Sequence, residues 1–162
     1  MSKKKEKEIK TNAMRILEKH KINYIVHTYS CDEFLDGVSV ADELGQSHEL
    51  VYKTLVAIGK SKEHFVFVVP IEKELDLKAA ARAVGEKSIE MLPLKDLTNV
   101  TGYVRGGCTA IGMKKDFPTV IDASAQNLDI MIVSGGRRGS QVELAPGDLA
   151  KAARAKFAEI TV

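Results

Sequence analysis

Residues 51–58 read VYKTLVAI, an apolar and β-branched run that is interrupted by one charged side chain, Lys53. Side chains of this kind are typical of a buried β-strand. A second apolar run, residues 65–71 (FVFVVPI), follows after the polar segment GKSKE at residues 59–63. Two strand-like runs joined by a short polar segment that contains glycine predict an antiparallel hairpin. This hairpin is the expected centre of the fold.

Lys53 is the unusual residue of the hairpin. An ammonium in an apolar strand must pair with a carboxylate, extend along its own stem to water, or face a pocket where positive charge is useful. We interpret Lys53 as facing a pocket.

The rest of the chain alternates helix and strand signals. Asp76 stands at the N-cap position of an alanine-rich helix over residues 77–84, which Gly85 closes. Ser39 and Asp42 resemble a capping box that opens a short helix. Further helices are predicted over residues 9–20 and 146–160, and strands over residues 22–29, 89–92, 119–122 and 128–133. These elements predict one α/β domain with a mixed sheet over residues 9–162, after a flexible N-terminal segment at residues 1–8.

Composition narrows the class of protein. The 162 residues include 24 basic and 22 acidic side chains, so the net charge of +2 does not indicate a nucleic-acid binder by itself. We expect neither secretion nor membrane insertion, because no apolar run reaches the necessary length. Cys31 and Cys108 are too few for a disulfide framework, and no Cys or His spacing suggests a metal site. A cytoplasmic protein without a metal is expected.

Two glycine-rich stretches, residues 106–112 (GGCTAIG) and 134–139 (SGGRRG), are the next candidates for a site. Glycine allows backbone N–H groups to approach a ligand as oxyanion or phosphate donors. Neither stretch is a Walker A loop or a dinucleotide fingerprint, so no nucleotide cofactor is indicated. The alternative is that these glycines only form tight turns and bulges.

Few residues are candidates for a nucleophile. Cys108 follows two glycines and lies near Arg105 in sequence, but no histidine can be assigned as its base, and a small buried side chain is the favoured interpretation. Ser134 lacks the Gly-x-Ser-x-Gly elbow, so we expect it to form a hydrogen bond. Asp122, at the end of an apolar strand, either orients a substrate amine, pairs with a lysine, or caps a turn.

Taken together and in order, six stretches resemble the YbaK/EbsC family of aminoacyl-tRNA deacylases, which is related to the editing domain of bacterial prolyl-tRNA synthetases. They are HTY at 27–29, VYKTL at 51–55, LDLK at 75–78, GYVRGG at 102–107, PTVID at 118–122 and VSGGRRG at 133–139. The resemblance implies a mixed, partly open β-barrel surrounded by helices. It also implies an enzyme that removes cysteine from mischarged Cys-tRNA(Pro), with Cys-tRNA(Cys) as a further substrate. Aminoacyl-tRNA is the implied partner, and prolyl-tRNA synthetase is a second candidate.

The resemblance also implies site residues. The pocket residues of the family match Tyr29, Lys53, Gly106 and Ser134, and the lysine is the one most closely tied to activity. An acidic position of some cysteine-removing members corresponds to Gln141. The family's Gly-Gly-x-Ser-Pro-x-Gly is altered at Thr109 and Ala110, so that loop lacks the restraint of proline, which bears on amino-acid specificity. The expected catalytic residues are Lys53, Gly106 and Gly107, and the expected substrate-binding residues are Tyr29, Asp122, Ser134, Gly135 and Arg137.

The implied mechanism needs no protein nucleophile, because an aminoacyl ester is already activated. The substrate thiol attacks its own carbonyl, and a cyclic thiolactone is released. Three alternatives remain at this level. The first is an Ala- or Ser-tRNA deacylase of the same fold, and the second is a non-catalytic tRNA- or nucleotide-binding module that uses Arg105, Arg137 and Arg138. The third is a thiol hydrolase that uses Cys108.

Overall fold

The computed structural model describes residues 10–30 and 36–162. The segment predicted to be flexible, residues 1–8, lies outside the described residues. Within them the chain forms one mixed α/β domain with five α-helices and eight strands. The helices are α1 (Asn12–Lys19), α2 (Gly37–Glu43), α3 (Leu77–Val84), α4 (Leu97–Thr101) and α5 (Pro146–Ala153). The strands are β1 (Ile25–Thr28), β2 (Tyr52–Gly59), β3 (His64–Pro70), β4 (Ile89–Met91), β5 (Thr119–Asp122), β6 (Met131–Ser134), β7 (Ser140–Leu144) and β8 (Ala155–Ala158).

The strands form two sheets. A five-stranded mixed sheet has the order β4-β2-β3-β5-β8, and a three-stranded antiparallel sheet has the order β1-β7-β6. In the described part of the chain, one parallel bridge, between Val51 and Ile132, joins the two sheets. The start of β2 therefore lies where the sheets approach each other, and this junction positions the site.

The predicted hairpin is confirmed. Strands β2 and β3 pair antiparallel from Tyr52 opposite Pro70 to Ile58 opposite His64. All five residues from position 65 to 69 are buried, as expected for a strand that is covered on both faces. This central strand supplies side chains to the two largest core clusters, one on each side of the five-stranded sheet.

The helix over residues 77–84 is also confirmed, together with its caps. Asp76 Oδ1 accepts hydrogen bonds from the N–H groups of Lys78 and Ala79, both at 3.1 Å. Gly85 ends the helix in the left-handed conformation, with φ +76°. Local signals decided this element because its start and its end are both set by single residues.

The prediction of one helix over residues 146–160 is wrong. Helix α5 ends at Ala153, and Arg154 adopts a left-handed φ of +54°. The chain then forms β8, which pairs in parallel with β5. Pairing with a distant strand therefore outweighed the helical periodicity of residues 155–160, and the sequence pattern alone carries no trace of that partner.

Two further expectations need correction. Helix α2 does not begin at a Ser39 capping box: Asp36 is the N-cap, and its carboxylate accepts from the Ser39 N–H at 2.8 Å. Strand β7 was not predicted separately, although it is the central strand of the three-stranded sheet. The predicted strand over residues 22–29 is confirmed over the shorter range Ile25–Thr28.

Candidate active site

A cavity of about 310 Å³ opens beside the junction of the two sheets. The start of β2 forms one wall, the end of β6 and the start of β7 form another, and the loop around Gly106 and the helix α2 complete it. Among the residues that line it are Tyr29, Tyr52, Lys53, Gly106, Ser134 and Gln141. The structure therefore brings together the four residues that the family resemblance implied, which are far apart in the sequence.

Lys53 lies in β2 opposite Val69 and is half-buried. Its Nζ donates to the carbonyl oxygen of Ile71 at 3.4 Å, at the far limit of a hydrogen bond. Within residues 10–30 and 36–162, no carboxylate forms an ion pair with Lys53. The lysine thus places its charge against the cavity with one weak protein contact, which fits the interpretation that it faces a pocket.

The glycines at 106 and 107 have different roles. Gly106 takes a left-handed φ of +86°, and its N–H has no hydrogen-bond partner in the described part of the chain. The Gly107 N–H, by contrast, donates to the carbonyl of Val104 at 2.9 Å. A Cβ on Gly107 would lie 2.8 Å from the Arg137 Cα. Gly107 therefore allows close packing of the two glycine loops, and only Gly106 offers a donor to a ligand.

In the second glycine loop, Ser134 is the residue that reaches the cavity. Its Oγ accepts from the Gly136 N–H at 3.2 Å, which leaves the hydroxyl hydrogen available for a ligand. The Gly135 N–H donates to the Ser140 carbonyl at 2.9 Å, and the side chain of Arg137 is exposed. Neither Gly135 nor Arg137 lines the cavity, whereas Arg105 from the other loop does.

Asp122 does not line the cavity. Its carboxylate is buried and accepts three hydrogen bonds. The donors are the N–H of Ser124 at 3.2 Å, the N–H of Ile160 at 3.1 Å and the hydroxyl of Thr161 at 3.3 Å. These bonds hold the C-terminal segment against the end of β5, so the carboxylate is occupied by the fold.

Cys108 lines the cavity but is buried, in a cluster with Val56 and Tyr103. Burial raises the pKa of its thiol to about 12. A thiol of this kind is protonated near neutral pH and is a poor nucleophile. The position supports the interpretation of Cys108 as a small buried side chain, and it disfavours a thiol hydrolase.

Sequence reasoning missed the amide partner of Gln141, a residue that lines the cavity. Gln141 lies directly opposite Ser134 in the pairing of β6 with β7, and it is only 6% exposed. Its Oε1 accepts from Gln46 Nε2 at 2.6 Å. The family resemblance had already singled out position 141, but it gave no signal for Gln46 as its partner. Thr109 and Ala110, by contrast, are buried and lie outside the cavity lining.

Among the described residues, no helix is long and apolar enough to cross a membrane. No group of three or more His, Cys, Asp or Glu side chains in the same part of the chain could hold a metal ion.

Comparison with known proteins places this geometry in a family. The model of the aminoacyl-tRNA editing domain matches residues 36–152. A curated protein of Enterococcus faecalis, named "Putative Cys-tRNA(Pro)/Cys-tRNA(Cys) deacylase EbsC", is 48% identical over 162 residues, which cover 99% of this chain and 98% of that protein.

Two crystal structures share the fold at low identity. One is described as a "putative trans-editing enzyme for prolyl tRNA synthetase"; it is 20% identical and has a TM-score of 0.77 over 94% of this chain and 98% of its own. The other, "hypothetical protein APE2540", is 19% identical and has a TM-score of 0.83 over 91% of this chain and 97% of its own. The resemblance inferred from the six motifs is thus confirmed: the chain belongs to the aminoacyl-tRNA editing domain family.

Proposed function

We propose that this protein is a trans-editing aminoacyl-tRNA deacylase that removes cysteine from mischarged Cys-tRNA(Pro), with Cys-tRNA(Cys) as a further substrate. Family membership and the name of the 48% identical relative support the reaction and the substrate. The observation that carries the proposal is the half-buried Lys53, which lines a cavity without an ion-pair partner among the described residues.

The cavity has the groups that ester cleavage requires. We assign Lys53 and the Gly106 N–H to the reacting ester, because a fixed positive charge and a free backbone donor both stabilise a developing oxyanion. We assign Tyr29 and Ser134 to substrate binding, because both line the same cavity. Gly107, Gly135 and Arg137 support the loops around it, and Asp122 has a structural role.

The chemistry follows from the substrate. The cysteine sulfur attacks the carbonyl carbon of its own ester, a sulfur–carbon bond forms, and the ester bond to the ribose oxygen breaks. The thiol proton is transferred to the departing ribose oxygen, which becomes a hydroxyl, and the products are free tRNA and a cyclic thiolactone. The enzyme contributes position and charge, and these account for large rate factors without a protein nucleophile.

We further propose that residues 9–162 form one editing domain and that the two sheets act as a partly open barrel; the bridge between Val51 and Ile132 supports this arrangement. The protein works in the cytoplasm beside prolyl-tRNA synthetase. A net charge of only +2 supports such a partner, because a weakly charged editor gains tRNA affinity from a synthetase.

The test is a panel of aminoacyl-tRNAs. Purified protein is mixed with Cys-, Ala- and Ser-tRNA, and the loss of each ester is compared with a buffer control. We expect the Cys ester to be cleaved fastest and a thiolactone to be detected. Faster cleavage of the Ala or Ser ester would change the substrate. Salt-dependent tRNA binding without cleavage of any ester would show a non-catalytic binding module.

A further inference from the structure

His48 makes an unusual pair of contacts just before β2. Its Nε2 lies 2.6 Å from Asp42 Oδ1, and its Nδ1 lies 3.0 Å from Glu72 Oε2. Ionised carboxylates only accept hydrogen bonds, whereas a neutral imidazole has one donor nitrogen. Both contacts form at once only when the ring is an imidazolium. The two carboxylates lie on opposite sides of the ring, so the group is a bridge and not a chelating site for a metal.

The first carboxylate belongs to the helix that forms one wall of the cavity. Asp42 lies in α2, and Gly37 and Val40 of the same helix line the cavity. The second carboxylate belongs to the segment after β3. Glu72 directly follows Ile71, which also lines the cavity. The bridge therefore joins two segments that both form the wall of the site.

These two segments also touch each other beside Lys53. A Cβ on Gly37 would lie 2.8 Å from Ile71 Cγ2, so α2 packs as closely on Ile71 as a glycine permits. The carbonyl of Ile71 is the acceptor for Lys53 Nζ. Ile71 therefore links the packing of α2 to the hydrogen bond that Lys53 donates, so a change in how α2 packs on Ile71 would alter that bond.

We propose that His48 is a positioning residue for the deacylation site: its protonated ring ties α2 to the segment after β3 and holds the cavity wall next to Lys53. The role of this wall in deacylation rests on the proposed function, whereas the existence of the bridge does not. Asp42 from α2 and Glu72 from the segment after β3 are the charged groups that face the ring. No other charged side chain in the described ranges forms an ion pair with it.

The bridge depends on pH. The hydrogen bonds that the ring donates to the carboxylates of Glu72 and Asp42 raise the pKa of His48 above its usual value. A raised pKa in the folded state means that the bridge is complete below the usual value of 6.5 and is lost as pH rises through the raised value. The contact between α2 and the segment after β3 should therefore weaken at pH values above the raised pKa of His48.

Hydrogen exchange tests the bridge without any substrate. Protection factors of the α2 amides are measured at about pH 6 and about pH 9 in wild type, His48→Gln and Glu72→Gln, with His20→Gln as the control. His20 is an exposed histidine at the end of α1.

We expect wild type and the control to lose about fivefold protection between the two pH values, since exposed ion pairs are weak. In His48→Gln and Glu72→Gln, protection of the α2 amides should already be low at about pH 6 and should remain low at about pH 9. Equal protection in wild type and both bridge variants at pH 6 would overturn the proposal.

Deacylation gives the second readout. The ratio of wild-type to His48→Gln rates for Cys-tRNA(Pro) cancels the pH dependence of the substrate itself. We expect a ratio of about five at pH 6 that falls towards one at pH 9. A ratio of one at both values, with the exchange difference present, would overturn the positioning role and leave the bridge as a stabilising contact. If no form cleaves any ester, the proposed function fails, while the exchange result still decides whether the bridge exists.

Discussion

Lys53 and Asp122 are both charged residues in strands of the five-stranded sheet, yet their surroundings are opposite. The carboxylate of Asp122 is buried and accepts three hydrogen bonds from the protein. The ammonium of Lys53 lines an open cavity and, among the described residues, donates one hydrogen bond, at 3.4 Å. The hydrogen-bonding capacity of Asp122 is met by the protein itself. That of Lys53 is largely unused and is available to a ligand in the cavity.

The difference teaches how to interpret a charge in an apolar strand. Such a residue is costly unless it is paired or hydrogen-bonded, so its presence requires an explanation. The sequence does not distinguish a structural from a functional explanation. Lys53 and Asp122 are therefore both expected at the site from the sequence. The number and strength of the protein contacts separate the two cases.

Lys53→Ala should give the largest effect. We expect the rate of Cys-tRNA(Pro) deacylation to fall about 10³-fold, or about 4 kcal/mol, because a fixed charge at the oxyanion is lost. The melting temperature should hardly change, because the side chain makes one weak contact. Single-turnover rates and thermal melts measure both quantities, and Lys78→Ala, an exposed lysine in α3, is the control. Equal activity in Lys53→Ala and wild type would remove Lys53 from the mechanism.

Asp122→Ala should show the reverse pattern. Removal of the carboxylate leaves the buried N–H of Ile160 without its acceptor, so we expect a loss of about 3 kcal/mol in the free energy of unfolding. Urea unfolding measures this loss. Deacylation per folded molecule should stay close to wild type. A folded Asp122→Ala protein with a hundredfold lower rate would return Asp122 to the site.

Gly107→Ala sharpens the comparison at the glycine loops. The added methyl would lie 2.8 Å from the Arg137 Cα, so we expect a loss of about 2 kcal/mol in stability and a weaker site. Gly147→Ala is the matched control, because a Cβ there meets nothing within 4 Å. Urea unfolding of both variants is the measurement. If the two glycines tolerate alanine equally, the loops do not pack as the structure indicates.

Cys108→Ala should have the smallest effect. The buried side chain contributes packing of about 1 kcal/mol, and deacylation should remain. Because burial raises the pKa of the thiol to about 12, wild type and Cys108→Ala should share one pH–rate profile between about pH 6 and about pH 9. Loss of activity in a folded Cys108→Ala protein would restore the thiol hydrolase alternative.

The sequence predicted those parts of the fold that local signals decide. The β2–β3 hairpin and the helix between Asp76 and Gly85 have their own punctuation, and both are confirmed. Strand β8 follows a left-handed Arg154 and depends on β5, more than thirty residues away, so a helix was predicted in its place. Pairing partners of this kind leave no local pattern.

The sequence likewise predicted some residues of the candidate site but not their hydrogen-bond partners. Motif resemblance indicated Tyr29, Lys53, Gly106 and Ser134, and all four line one cavity. The sequence could not show that the Gly107 N–H is already used by Val104, because hydrogen-bond partners follow from the conformation of the turn. It also gave no signal for Gln46, a polar residue beyond the end of α2 whose partner, Gln141, lies in the three-stranded sheet.

The most direct test of the account is a crystal structure with a stable analogue of the substrate end, adenosine that carries cysteine through an amide in place of the ester. We predict that the analogue occupies the cavity, with its carbonyl oxygen within hydrogen-bond distance of Lys53 Nζ and the Gly106 N–H. An analogue bound elsewhere on the protein, or in the cavity with its carbonyl turned away from both donors, would contradict the account.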